Sequence, residues 1–158
     1  MIIIRPITEV DVDAVAAVHS EVFARQSASR KWVKCNFNAY PRIMMFVAEH
    51  GDGHIAGYIQ WIQKSGFRKE AVIELEQIAV LPDFQGKGVG TKLINESLSN
   101  IKDYLKDQDS LLKSIIVTTR SDNQAQSLYK KVLNAEMAGT IKNLYSHDEV
   151  IMLAKCKE

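Results

Sequence analysis

Cysteine is scarce: Cys35 and Cys156 are the only two in 158 residues. They are too few for a disulfide framework and lack metal-ligand spacing, so free thiols in a reducing compartment are expected. The four histidines, His19, His50, His54 and His147, show neither the spacing of a metal site nor that of a triad with a recognised nucleophile. No metal is expected, and these rings read as surface or core-edge residues. No apolar run is long enough to cross a bilayer, which predicts no membrane partner. The opening MIIIRPITEVD lacks the basic start, long apolar segment and small-residue cleavage site of a secretory signal, so a cytoplasmic, soluble protein is the expectation. A net charge of +1 supplies no global field to draw the chain onto nucleic acid, and none is expected as a partner. Repeats, low-complexity tracts and linkers are absent too. A single domain over residues 1–158 follows, with 46% hydrophobic and 25% charged residues, the composition of an ordinary globular core.

Within that frame the pattern alternates. Residues 1–7 read as a short strand, and Thr8 with Asp11 three positions on has the form of a capping box. Val10, Ala14, Val15, Val18 and Val22 recur at helical spacing, predicting a packed stripe that runs to about Phe23. Residues 26–40 carry Trp32, Val33, Phe37 and Tyr40 among polar neighbours, a second shorter helix or an ordered loop ending before Pro41. Two strand-like runs, 43–49 and 54–63, flank Gly-Asp-Gly and should pair antiparallel as a hairpin. A strand over 71–81, a helix over 88–105, a strand over 114–119, a helix over 122–133 and closing strands over 138–141 and 149–154 complete the reading. The expected fold class is α/β, a mixed sheet covered by helices.

The stretch IELEQIAVLPDFQGKGVGTKLI, residues 73–94, holds a strand, a glycine-rich turn and the mouth of a helix in that order. Gly86, Gly88 and Gly90 free backbone amides to turn toward one point. A helix N-terminus adds unsatisfied N–H groups and partial positive charge, and Lys87 adds a cation. The turn therefore suits an anion. It is not a Walker loop, since no window gives Gly, four residues, then Gly-Lys and Ser or Thr. Nor is it a dinucleotide fingerprint, because the third glycine position is Thr91.

Gln85-Gly86-Lys87-Gly88-Val89-Gly90 resembles the Q/R-x-x-G-x-G/A signature of the GNAT superfamily of acyl-CoA-dependent N-acyltransferases, and Ile78-Ala79-Val80-Leu81-Pro82 leads into it as that family's fourth strand does. Asn123, Ala125, Leu128, Tyr129 and Lys131 are similar to the family's N-x-A-x-x-L-Y-x-K segment. One departure is visible, Val132-Leu133-Asn134-Ala135 where many members have Gly-Phe. The resemblance implies a mostly antiparallel sheet with a splayed acyl-CoA cleft. It implies acetyl-CoA as cosubstrate, with the backbone of Ile78, Ala79 and Val80 along the pantetheine arm and the amides of Gln85, Gly86, Lys87, Gly88, Val89 and Gly90 on the pyrophosphate. Asn123 either contacts the same arm or caps its helix.

Transfer to an amine needs a proton acceptor, because an ammonium has no free lone pair. Glu74 and Glu76 are two apart on a strand and share a face, and the resemblance turns that face to the acceptor. Glu74 matches the family's base position better, whereas Glu76 lies closer along the chain to the thioester. Tyr129 is the candidate acid for the departing thiolate, although alone it reads as one more residue of an apolar stripe. Backbone N–H groups near Ile78 or Ala79 are the candidate oxyanion donors. Trp32, Phe37, Tyr40 and Phe67 are candidates to line an acceptor pocket, though such aromatics are more often core. The expected activity is acetyl transfer from acetyl-CoA to a primary amine on a small molecule, by direct attack in a ternary complex. A protein or peptide acceptor is the nearest alternative, and an acyl-CoA sensor without turnover is the alternative from another class. A homodimer is left open.

Overall fold

A computed structural model describes residues 1–156 of the chain, so the last two positions of the expected 1–158 domain lie outside the described residues. The elements are β1 (Ile2–Pro6), α1 (Val12–Val22), α2 (Ser29–Phe37), β2 (Ile43–His50), β3 (Ile55–Gln63), β4 (Glu70–Val80), α3 (Val89–Asp107), β5 (Leu111–Arg120), α4 (Ala125–Leu133), β6 (Glu136–Ile141) and β7 (Glu149–Lys155). The strand order is β1-β2-β3-β4-β5-β7-β6. Only β4 and β5 pair parallel among the registered neighbours, so the sheet is mixed and mostly antiparallel, as expected. The chain clusters into two compact units, one of Met1–Ile62 with Gln77–Asn100, the other of Gln63–Glu76 with the chain from Ile101 onward.

In the first unit, β1 pairs with β2 from Ile2↔His50 to Pro6↔Phe46, and β2 pairs with β3 through a register shift at Ala48 and Glu49. α1 and α2 cover one face of this sheet, burying Val15, Val18 and Val33 against Ile43, Met45, Val47, Tyr58 and Ile62. Trp61 has the opposite strand parity to Tyr58 and projects from the other face, where its indole N–H donates to Ser97 Oγ of α3 at 2.9 Å. The start of α1 corrects the sequence reading. A single 3₁₀ turn over Glu9–Asp11 precedes the helix, and its three-residue repeat shifts the phase, so Val10 is 88% exposed and Ala14 is exposed while Val12, Val15, Ala16 and His19 face inward. The Thr8 N–H donates to Asp11 Oδ2 at 2.7 Å, but the pair closes this 3₁₀ turn rather than the α-helix. Arg5 fastens it to the sheet, its guanidinium forking onto both Asp11 oxygens at 2.7 and 2.9 Å and onto Glu49 at 2.6 Å. Those charge-assisted bonds hold the Asp11 carboxyl below the usual range and the Arg5 guanidinium above its own.

In the second unit, β4 runs parallel to β5 from Glu70↔Leu111 to Leu75↔Val117, and β5 runs antiparallel to β7 from Ser114↔Lys155 to Arg120↔Glu149. Ile73, Leu75, Ile101, Leu105, Ile115, Val117, Tyr129 and Met152 are buried. α4 begins at Ala125, three residues later than the spacing predicts. Asn123 Oδ1 accepts the Ala125 N–H at 2.8 Å, and Arg120 forks onto Asp122 at 3.1 and 2.9 Å, so the approach is held as a turn.

Candidate functional site

β4 alternates strictly. Ala71, Ile73, Leu75, Gln77 and Ala79 are buried, whereas Val72, Glu74, Glu76, Ile78 and Val80 are half-buried and share the other face. The two carboxylates thus share a face with two of the three residues proposed for the pantetheine arm, as period-two alternation requires.

In the first unit, the tail of β4 is tied down by the Leu81 N–H, which donates to the Ala56 carbonyl at 2.8 Å. Beneath it lies Gly57, where an added Cβ would run into the Ala79 carbonyl oxygen. Past Leu81 a 3₁₀ turn over Pro82–Phe84 reverses the chain, with proline at its start where a missing N–H costs nothing. Gln85 then reaches back, its Nε2 donating to the Val80 carbonyl at 2.8 Å, so the side chain braces the turn against the strand. Gly86 and Gly88 follow with φ of +73° and +80°, and a Cβ on either would meet no protein atom within 4 Å. Their conformation is what favours glycine, and the space before them is open. α3 starts at Val89, and the first bond of its ladder outside the turn runs from the Lys92 N–H to the Gly88 carbonyl at 3.0 Å. The amides of Val89, Gly90 and Thr91 precede that bond and belong to the first turn of α3, where a helix leaves N–H groups without partners in its own ladder. Gly90 belongs to the helix and not to the turn, so two glycines rather than three shape the loop. Lys87 is exposed, with its Nζ 5.9 Å from the Phe84 ring centroid.

Gln77 was not signalled by any motif. Its side chain is buried between α2 and β3, where Oε1 accepts the Trp32 indole N–H at 3.0 Å and the Tyr58 hydroxyl at 2.8 Å. Strand parity alone could have found it, since it occupies the inward phase of β4. His19 also departs from expectation. It is fully buried rather than at the core edge, with Nε2 2.8 Å from Gln26 Oε1 and Nδ1 2.8 Å from Ser29 Oγ. Of the four aromatics considered for an acceptor pocket, Tyr40 and Phe67 are well exposed, Phe37 is half-buried, and Trp32 is 36% exposed with its N–H fixed by Gln77.

The second unit holds Glu74, Glu76, Asn123 and Tyr129. Glu74 Oε1 lies 3.1 Å from Lys64 Nζ, an ion pair that no motif signals. Tyr129 is 5% exposed, and burial pushes its hydroxyl up to about 12. The side chain of Asn123 makes the local capping bond to Ala125 already described. Asn134 closes α4 in the left-handed region at φ 57°, its N–H donating to the Tyr129 carbonyl, so asparagine fills a helix-closing position that glycine most often takes. Glu149 is a further buried carboxyl that sequence reasoning did not mark, pushed up by burial against the opposing pull of Arg120. Among the described residues, no group of three or more His, Cys, Asp or Glu converges as a metal site.

The model of the Acetyltransferase (GNAT) family matches residues 13–134. The L-2,4-diaminobutyric acid acetyltransferase of Vibrio parahaemolyticus is 32% identical over 102 residues, which are 62% of this chain and 51% of that protein. A GCN5-like protein acetyltransferase of Mycobacterium tuberculosis is 32% identical over 78 residues, 45% of this chain and 35% of that protein. The chain thus spans about half the length of the first of these relatives and about a third of the second. The crystal structure of Arabidopsis thaliana NAA60 in complex with acetyl-CoA superposes with a TM-score of 0.78 at 14% identity, covering 98% of both chains, which is a likeness of fold.

Proposed function

The chain belongs to the Acetyltransferase (GNAT) family, and from that membership we propose that it transfers an acetyl group from acetyl-CoA to a primary amine on a small molecule, by direct attack in a ternary complex. The observation that carries this reading is the turn before α3, where Gly86 and Gly88 adopt positive φ facing open space and lead into the N-terminal turn of a helix. A pyrophosphate there would be held by the backbone of residues 85–90, with Lys87 as an added cation. The backbone of Ile78, Ala79 and Val80 would carry the pantetheine arm.

Acetyl-CoA supplies an activated acyl carbon: the amine lone pair attacks it, a C–N bond forms, and the C–S bond breaks with its electrons on sulfur. The chain must then accept one proton from nitrogen and stabilise the thiolate. Glu74 or Glu76, which share a face of β4, is assigned the first task, with Glu74 Oε1 held 3.1 Å from Lys64 Nζ. Tyr129 is assigned the second, in a narrower form than a full acid. A hydroxyl pushed up to about 12 is a weaker acid than a thiol and gives up its proton reluctantly to a thiolate, so it acts as a hydrogen-bond donor to sulfur. The small-amine acceptor is supported by the similarity to the diaminobutyric acid enzyme, and a protein acceptor by that to the mycobacterial one.

The test is thiol release from acetyl-CoA with alkyl amines, diamino acids and short peptides bearing free N-termini. Transfer to small amines supports the first reading, transfer confined to peptides the second. Coenzyme binding with no transfer to any acceptor overturns both in favour of a sensor. In the active protein, the glutamine variant of the true base, Glu74→Gln or Glu76→Gln, should lower turnover at neutral pH by about 10²-fold or more and recover partly as pH rises and free amine accumulates, while the other variant loses less. Tyr129→Phe should slow single turnover by roughly 10-fold while leaving coenzyme affinity unchanged.

A further inference from the structure

Gln77 links more than Trp32 and Tyr58. Its Nε2 lies 3.5 Å from Gln26 Oε1, and the same oxygen takes His19 Nε2 at 2.8 Å, while His19 Nδ1 meets Ser29 Oγ at 2.8 Å. Because Gln26 Oε1 only accepts, the network assigns the His19 proton to Nε2 and leaves Nδ1 to accept from the Ser29 hydroxyl. One amide of β4 is therefore joined through hydrogen bonds to the last turns of α1, to the connection after it and to the first turns of α2. Residues 24–28 of that connection are all exposed, Ala28 sits at φ 53°, and the Gln26 N–H donates to the Phe23 carbonyl at 2.9 Å. The His19 ring packs 5.3 Å from Phe23 and 6.4 Å from Trp32, so the apolar neighbours of the network are fixed with it.

The result is an aromatic ring held in one place. Trp32 keeps 36% of its surface open, yet its indole N–H is anchored to Gln77, on the inward face of β4 and one residue before Ile78, the first of the three assigned to the pantetheine arm. Of the four aromatics weighed for the acceptor, Trp32 has its side chain hydrogen-bonded to β4, through Gln77. An indole face attracts an ammonium or the alkyl chain beside it, and an amine acceptor has both.

We propose that Trp32 is the acceptor platform and that Gln77 is the positioning residue that fixes it, so the acceptor chemistry this site takes is a cationic amine with an aliphatic body. This rests on the acetyltransferase reading above. Removing the amide loosens the ring without touching a reacting atom, so the acceptor KM rises while the acetyl-CoA affinity holds.

Gln77→Leu keeps a buried side chain of similar size and deletes all three bonds. It should raise the acceptor KM about 10-fold, with coenzyme affinity and the single-turnover rate at saturating acceptor each within about threefold of the parent. Gln77→Glu keeps two oxygens able to accept from Trp32 and Tyr58, and should restore most of the lost KM. A readout that needs no substrate accompanies these. The chain has two tryptophans, and Trp61 is 1% exposed, so emission quenched by acrylamide belongs to Trp32. Quenching should increase in Gln77→Leu and return toward the parent in Gln77→Glu. Unchanged quenching in Gln77→Leu overturns the inference whatever the activity, and so does an acceptor KM within twofold of the parent. A KM that rises only in step with lost coenzyme affinity also overturns it, since that marks general damage to β4. A parent that transfers to no amine, but whose Trp32 quenching responds as stated, overturns the acetyltransferase reading and the platform together while sustaining the hold of Gln77 on the ring.

Discussion

In the turn ahead of α3, Gly86 and Gly88 hold φ of +73° and +80°, and a Cβ added to either would touch nothing within 4 Å. In β3, Gly57 lies in a strand with no positive φ, and a Cβ there would meet the Ala79 carbonyl oxygen and crowd the Val80 Cα at 3.2 Å. The first pair is required by backbone conformation and faces outward, toward whatever the turn receives. The second is required by space inside the sheet, because β4 backbone has come close. Both bear on the same proposed cofactor site, one by shaping the loop and the other by setting where residues 79 and 80 lie.

The largest effect is expected at Gly57. Were the site roomy, Gly57→Ala would stabilise a strand interior by about 0.5–1 kcal/mol, through the lower entropy of the unfolded chain. The close approach predicts the opposite sign, a loss of about 1–3 kcal/mol for alanine and the upper end or more for Gly57→Val, as overpacking against backbone that cannot rotate away. Urea unfolding gives the sign directly. A stabilised alanine variant would mean that β3 and β4 separate at no cost, and the contrast with Gly88 would disappear.

This contrast also marks what the sequence could disclose. The turn is legible because its parts are local: two strained glycines, a lysine and a helix start within six residues. The alternation that puts Glu74 and Glu76 on one face is equally local, as is the stripe of Leu93, Ile94, Leu98, Ile101 and Leu105 on α3, buried except for the half-buried Leu98. The phase of α1 was misread because a 3₁₀ turn has a different repeat from the helix it precedes, which left Val10 outside the stripe it was counted in. Gly57, His19, the Lys64–Glu74 pair and the partners of Gln77 were invisible for another reason. Each role comes from a partner outside the residue's own element, and a single glycine, glutamine or histidine carries no spacing that names that partner.

A smaller effect, on binding rather than stability, is expected at Gly88. Gly88→Val combines a β-branched residue with a φ it rarely adopts, and should weaken coenzyme A binding by about 10-fold or more, as seen by calorimetry. Gly88→Asn separates the two demands on the position, because asparagine enters the left-handed region readily yet still places a side chain before the amides. If the turn is a cradle, Asn costs a few-fold in affinity while leaving the unfolding midpoint near the parent's. Parental affinity in the Asn variant would show that only the turn's shape matters and that its open side receives nothing.

The smallest expected effect is at Asn134, the third kind of position in this comparison. It too has positive φ, 57°, but it closes α4 and its side chain is accommodated in exposed space. If positive φ alone sets the requirement here, the ranking is fixed by conformational cost. Asn134→Ala should destabilise by about 1 kcal/mol, since an ordinary Cβ is disfavoured in this region, and Asn134→Gly should fall within a few tenths of the parent or slightly above it. Neither should alter coenzyme affinity beyond what lost folding explains, because the residue's contribution ends at the two N–H groups, Asn134 and Ala135, that the Tyr129 carbonyl receives. A tenfold drop in affinity for Asn134→Ala at temperatures where it is fully folded would contradict that. It would mean that the C-terminal turn of α4 sets the placement of Tyr129 as firmly as Gly86 and Gly88 set the loop, and that a left-handed residue in this fold serves the site even where nothing opens in front of it.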